Sequence, residues 1–201
     1  MSWWDKITGR AKQGDTREVQ FPILFELIPE RLTARVYLQE IGSQDGPVPC
    51  WTYVSDGLWV HKQKELIFSL RRSPRDKIDE FPNDPLRFFV TVYQFAEQGR
   101  WVDVGDFSEA RIPDFLGYRG LMYIPPDPCQ DLDMQSPSLA AILLSDEELA
   151  ALKAFGPTRV MVRLGQAYRY YPCPPWSDRM RPSLSFTRAT EESILARVPH
   201  M

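Results

Sequence analysis

The sequence predicts a single α+β domain, built on a mainly antiparallel mixed sheet with two or three packed helices. Three observations lead there. Residues 50–72 read as two strands joined by a turn, two helical patterns stand among further strand patterns, and 18 prolines with 11 glycines call for many short elements. No repeat or linker forces a second domain, so residues 19–188 are expected to form the body. Residues 1–18 are expected to be an N-terminal arm docking through Trp3 and Trp4, and residues 189–201 a tail with a short helix.

Taken in order, Val19 to Ile28 and Leu32 to Glu40 are apolar runs joined by Pro29-Glu30-Arg31, a hairpin pattern. Cys50 to Val54 is aromatic and β-branched, and Ser55-Asp56-Gly57 is a turn in which Gly57 can take a positive φ. Leu58-Trp59-Val60-His61-Lys62 is too apolar for a solvated connection and is either a core plug or a contact surface. In Glu65 to Arg71, Leu66, Phe68 and Leu70 alternate with Ile67, the pattern of a central strand covered on both faces. A polar, proline-punctuated segment, Ser73 to Pro85, leads to a helix capped by Asp84. Its apolar positions Leu86, Phe89, Val90 and Tyr93 recur at three and four residues, and Gly99 stops it. Trp101 to Val104 and Gly120 to Ile124 are expected as short strands, and Leu139 to Leu144 fits a buried strand or a short helix. Ser145-Asp146-Glu147-Glu148 is a capping box opening a helix that Gly156-Pro157 ends. Arg159 to Leu164 alternates Val160, Val162 and Leu164 with charged and longer residues and reads as a strand.

Composition narrows the function classes. The 201 residues are 43% hydrophobic and 25% charged with a net charge of -3, the profile of a globular domain with no overall attraction to nucleic acid or anionic lipid. No signal-peptide core or run of about 20 apolar residues occurs. The three cysteines, Cys50, Cys129 and Cys173, have no CxxC spacing and suit reduced thiols rather than disulfides or zinc. A cytoplasmic protein without cofactor or metal is expected.

Catalytic parts are scarce. The two histidines are His61 and His200, so a proton-transfer site would have to pair His61 with Asp56 in a pocket nearby, and no GxSxG elbow accompanies them. Asp127, Asp131 and Asp133 lack the glycine and terminal glutamate of a calcium loop. Tyr168, Arg169, Tyr170, Tyr171, Trp176, Arg179 and Arg181 interleave aromatics with arginines. That mixture can clamp single-stranded nucleic acid, but it is also the composition of protein-interface hot spots, and the acidic whole favours protein. Trp59, His61, Tyr168, Arg169, Tyr171, Trp176 and Arg179 are accordingly the candidate partner-binding residues, expected on one face. Half-buried strand tyrosines beside solubilising arginines are the plainer alternative.

Arg159-Val-Met-Val-Arg-Leu-Gly165 and Tyr168-Arg-Tyr-Tyr-Pro-Cys-Pro174, together with Cys50-Trp51, Val54, Gly57-Leu58 and Glu65-Leu-Ile67, resemble the C-terminal domain of the FYVE-finger Smad-anchor proteins. The likeness spans roughly residues 47 to 183. More distantly the layout is similar to the suppressor of fused domain, whose bacterial members are regarded as protein-binding and include immunity proteins of toxin systems. The resemblance implies a non-enzymatic interaction module, with a toxin as one partner it could neutralise. It supplies no catalytic residues, and without a cysteine-rich finger the phosphoinositide binding of the animal anchors does not transfer.

Overall fold

A computed structural model describes residues 20–109, 118–128, 130, 132 and 134–186. The expected arm (1–18) and tail (189–201) lie outside the described residues, as do Cys129, Asp131, Asp133 and His200. The strands are β1 (Ile23–Ile28), β2 (Leu32–Ile41), β3 (Val48–Asp56), β4 (Glu65–Arg71), β5 (Phe107–Glu109), β6 (Gly120–Ile124), β7 (Ser138–Leu144) and β8 (Trp176–Ser177). The helices are α1 (Asp84–Glu97), α2 (Asp146–Phe155) and α3 (Pro157–Tyr168), with a 3-10 turn at Leu58–His61.

The strands form one sheet in the order β1-β2-β3-β4-β7-β6-β5, antiparallel except where β4 meets β7. The first half of β4 pairs with β7 through Glu65, Leu66 and Ile67. Its second half, at Ser69 and Leu70, pairs in parallel with Trp176 and Ser177 of β8. Strand β8 thus occupies a gap that opens as β7 diverges from β4, and the Ser177 hydroxyl accepts the Leu143 amide on the far side.

Alternation along β7 splits the core in two. Leu139, Ala141 and Leu143 join Leu66, Phe68 and Leu70 of β4 in a cluster with Leu86, Phe89 and Tyr93 of α1. Ala140, Ile142 and Leu144 pack on the other face against Leu149 and Leu152 of α2 and Val160 and Leu164 of α3. The expected central placement of Glu65 to Arg71 therefore holds, and the open choice for Leu139 to Leu144 resolves to a strand.

Three local expectations are corrected. Arg159 to Leu164 lies inside helix α3, with Pro157 in its first turn. Val160 and Leu164, four residues apart, are the side chains it buries beside Gly165, and Val162 is only half-buried, so the two-residue alternation was incidental. Trp101 to Val104 forms no strand. The Val102 N–H donates to Gln63 Oε1 at 2.8 Å and Gln63 Nε2 donates back to the Val102 carbonyl at 3.4 Å, so a side-chain amide takes the place of a strand partner. Helix α1 begins after Asn83 rather than Asp84, and Asn83 makes no side-chain cap.

Candidate functional site

The turn that carries Trp59 is held by one buried carboxylate. Glu65, 2% exposed at the start of β4, accepts the Gly57 and Trp59 N–H groups on Oε1 at 3.0 and 2.9 Å and the Ser55 hydroxyl on Oε2 at 2.6 Å. Ser55 Oγ in turn accepts the Leu66 amide at 2.8 Å. Gly57 has φ +124°, and a Cβ there would stand 2.2 Å from the Arg31 carbonyl oxygen, so no other residue fits. The result is both of the alternatives left open for this connection: Leu58 is fully buried as a plug, while Trp59 is 48% and Val60 79% exposed. His61 lies edge-on to Tyr93 at 4.9 Å, its Nε2 buried without a hydrogen-bond partner among the described residues. Asp56 pairs with Arg35 at 3.7 Å. A proton-transfer couple between Asp56 and His61 is not assembled.

The second candidate segment follows α3. Gly165 lets the helix end approach the returning chain, since a Cβ would come within 2.3 Å of the Pro172 carbonyl oxygen. Arg169 takes a left-handed conformation (φ 51°) and reaches Asp45 at 3.0 Å, and Tyr171 stands 87% exposed. Trp176 departs from its expected surface position. It is 3% exposed, wedged by β8 against Ile41 and Cys50, with Tyr168 and Tyr170 edge-on at 6.2 and 4.9 Å. Arg179 donates to Asp76 at 3.0 Å and lies 5.9 Å from the Trp51 ring centre. Arg181 is buried in an ion pair with Glu148, the capping-box glutamate of α2. Arg169, Arg179 and Arg181 are each paired with a carboxylate.

The two segments stand at different points along β4. The Trp59 turn precedes Glu65, whereas the Trp176 strand pairs beyond Ile67 at the other end of β4, some four residues or about 13 Å further along. What the second segment does build is a cleft of about 800 Å³. Its walls are Gly42 to Gln44 from the β2–β3 loop, Ile124 at the end of β6 with Pro125 to Pro128 after it, Met161 of α3, and Arg169 to Cys173 with Pro175. Five of these wall residues, Pro125, Pro126, Pro128, Pro172 and Pro175, are prolines, which keep the shape rigid. The Tyr170 hydroxyl donates to the Asp127 carboxylate across it. Burial pushes the Cys173 thiol up to about 12, and that of Cys50 likewise, so both stay protonated and unreactive at neutral pH. Among the described residues no group of three His, Cys, Asp or Glu side chains could hold a metal ion, and no helix is long and apolar enough to cross a membrane. No local periodicity marks this cleft in the sequence, because its walls come from four separated stretches.

Residues 134–196, which supply β7, α2, α3 and the Trp176 segment, match the family described as Smad anchor for receptor activation-like, C-terminal. Zinc finger FYVE domain-containing protein 16 of Mus musculus is 34% identical over 141 residues, covering 67% of this chain and 9% of that protein. Zinc finger FYVE domain-containing protein 9 of Homo sapiens is 35% identical over 157 residues, covering 73% of this chain and 10% of that protein. The chain thus spans about a tenth of these relatives. Among solved structures, Drosophila Suppressor of Fused aligns with a TM-score of 0.60 at 17% identity, over 82% of this chain and 45% of its own. A chain of the Sufu-Fu complex aligns with a TM-score of 0.56 at 17% identity, over 83% of each chain. In sequence this chain resembles the C-terminal region of the FYVE-domain Smad-anchor proteins, and its fold is that of suppressor of fused.

Proposed function

We propose that the domain is a non-enzymatic protein-binding module, and that the proline-walled cleft beside Arg169 and Tyr171 receives a segment of its partner. The observation that carries this reading is the cleft itself: a rigid, mainly apolar concavity with a fully presented tyrosine and an arginine on its rim. Large side chains held by a stiff backbone give up little entropy on association and are the usual carriers of interface energy. Two further observations support it. The matching family is described as an anchor, and one structural neighbour was solved as a complex with a second protein. The buried, reduced Cys50 and Cys173 fit a cytoplasmic setting. A toxin as partner rests on the distant suppressor of fused likeness alone.

The test is affinity capture from native lysate with wild type and with Tyr171→Ala and Arg169→Ala, each checked for an unchanged melt. A protein retained by wild type and lost by both variants supports the cleft. A protein kept by both but lost by Trp59→Ala moves the binding face to the turn at the other end of β4.

A further inference from the structure

Where β4 leaves the sheet the chain reads Arg71-Arg72-Ser73-Pro74-Arg75-Asp76-Lys77. It folds into a turn in which the Asp76 N–H donates to the Ser73 carbonyl at 3.0 Å and the Ser73 N–H to Asp76 Oδ2 at 2.8 Å. Asp178 and Arg179, just past β8, close over it. The pocket between them, of about 220 Å³, is lined by Arg71, Arg72, Ser73, Asp76, Asp178 and Arg179 and shares no residue with the proline-walled cleft.

The lining holds three arginines and two aspartates, a charge of 3 − 2 = +1. The carboxylates are already engaged. Asp178 takes Arg71 at 2.9 Å and the Met180 N–H at 2.9 Å, while Asp76 takes Arg179 at 3.0 Å besides Ser73. Arg72 is left over, with its Nε and NH1 buried and without a hydrogen-bond partner among the described residues. A guanidinium does not shed its proton in a protein, so burying its donors unpaired is costly until an anion meets them.

We propose that this pocket is a binding site for a single oxyanion, a phosphate or a carboxylate group. Arg72 is its main donor and Arg71 and Arg179 are flanking cations. The planar fork of arginine suits both groups. Arg71, 48% exposed in its pair with Asp178, can turn to a bound anion, and Arg179, held by Asp76, lends its charge from where it stands. The Ser73 hydroxyl accepts the Arg75 amide at 3.4 Å, which leaves its proton for the ligand. The inference stands apart from the protein-binding reading, because it needs no partner protein.

The experiment is calorimetric titration of the full chain with inorganic phosphate, acetate and O-phosphoserine in turn, in chloride buffer of matched ionic strength. Saturable one-to-one binding by wild type, weakened at least about tenfold in Arg72→Gln, is the expected result. Preference for phosphate and phosphoserine assigns a phosphate ligand, and equal binding of acetate assigns a carboxylate. Should Arg72→Gln fail to fold, Arg71→Gln, at a half-exposed side chain, is titrated in its place, with weakened binding again expected. No saturable heat with any of the three anions, or affinity unchanged in the folded variant, overturns the proposal.

Discussion

Removing Glu65 should unfasten the whole turn that carries Trp59. The carboxylate accepts three hydrogen bonds, from Gly57, Trp59 and Ser55, and a bond to a charged group is worth about 1.5 to 3 kcal/mol. Three of them give about 4.5 to 9 kcal/mol as a ceiling. The Gly57 and Trp59 amides lie in a part-buried turn where water can replace the lost acceptor, while Ser55 is fully buried and cannot be so served. Glu65→Ala is therefore expected to cost about 3 to 5 kcal/mol. Glu65→Gln keeps an oxygen for both amides and loses the charge and the acceptor for Ser55, so it should cost about 1 to 2 kcal/mol. At about 2 to 4 °C per kcal/mol for a chain of this size, Glu65→Ala lowers the melting temperature by roughly 6 to 20 °C. Thermal unfolding followed by near-ultraviolet circular dichroism reads both variants. An alanine variant within about 1 kcal/mol of wild type, or a glutamine variant as damaged as alanine, would refute the reasoning.

Phe68 is fully buried in β4 and edge-on to Tyr53 at 6.2 Å, so Phe68→Ala should cost about 3 to 5 kcal/mol, and an unchanged chemical denaturation midpoint would contradict its central place. Trp176→Ala should likewise cost about 3 to 5 kcal/mol, appearing as a lowered melt in the free protein with no partner present. Gly165→Ala should destabilise although alanine favours helices, because the added methyl meets the Pro172 carbonyl; a raised melt would show that the approach is looser. Burial raises the Cys50 and Cys173 thiols from 9.0 to about 12 and holds the Tyr53, Tyr118 and Tyr123 hydroxyls up as well. The unfolded chain releases these protons first, so stability is complete below about pH 9 and falls as pH rises beyond it. Melts from pH 7 to 11 check the trend, and alkylation of native Cys173 at pH 8 as fast as in denaturant would oppose its cause.

Much of the sheet was legible because its central strands carry strong periodicity. Leu66, Phe68 and Leu70 could face only one way once Ile67 was also apolar, and Gly57 marked its turn by chemistry. Helix α3 was misread over residues 159–164 because a six-residue window with Val160 and Leu164 satisfies both the two-residue and the four-residue period. Gly156-Pro157 read as the stop of α2, although a proline suits the first turn of the next helix equally well. Trp176 was misplaced for a different reason. A two-residue strand has no period, and its burial is decided by β4 and β7 separating, a property of residues far away in sequence. Arg169 and Tyr171 could be singled out by type, but their shared cleft could not, since loops 42–44 and 124–128 complete it. The pairing of each arginine with a distant aspartate or glutamate was equally out of reach.

The insertion of β8 beside β4 also governs how the chain can be made. Ser69 meets Trp176 across 107 positions, so a growing polypeptide holds half of β4 without its neighbour until the later segment leaves the ribosome. At about 5 to 20 residues per second that interval is roughly 5 to 20 s. During it the Ser69–Leu70 half of the strand has β3 on one side and an open backbone on the other, the state in which strands find wrong partners. Slower translation between β7 and β8 would lengthen that exposure, and a chaperone that shields strand edges would act on this protein before its last hundred residues are complete.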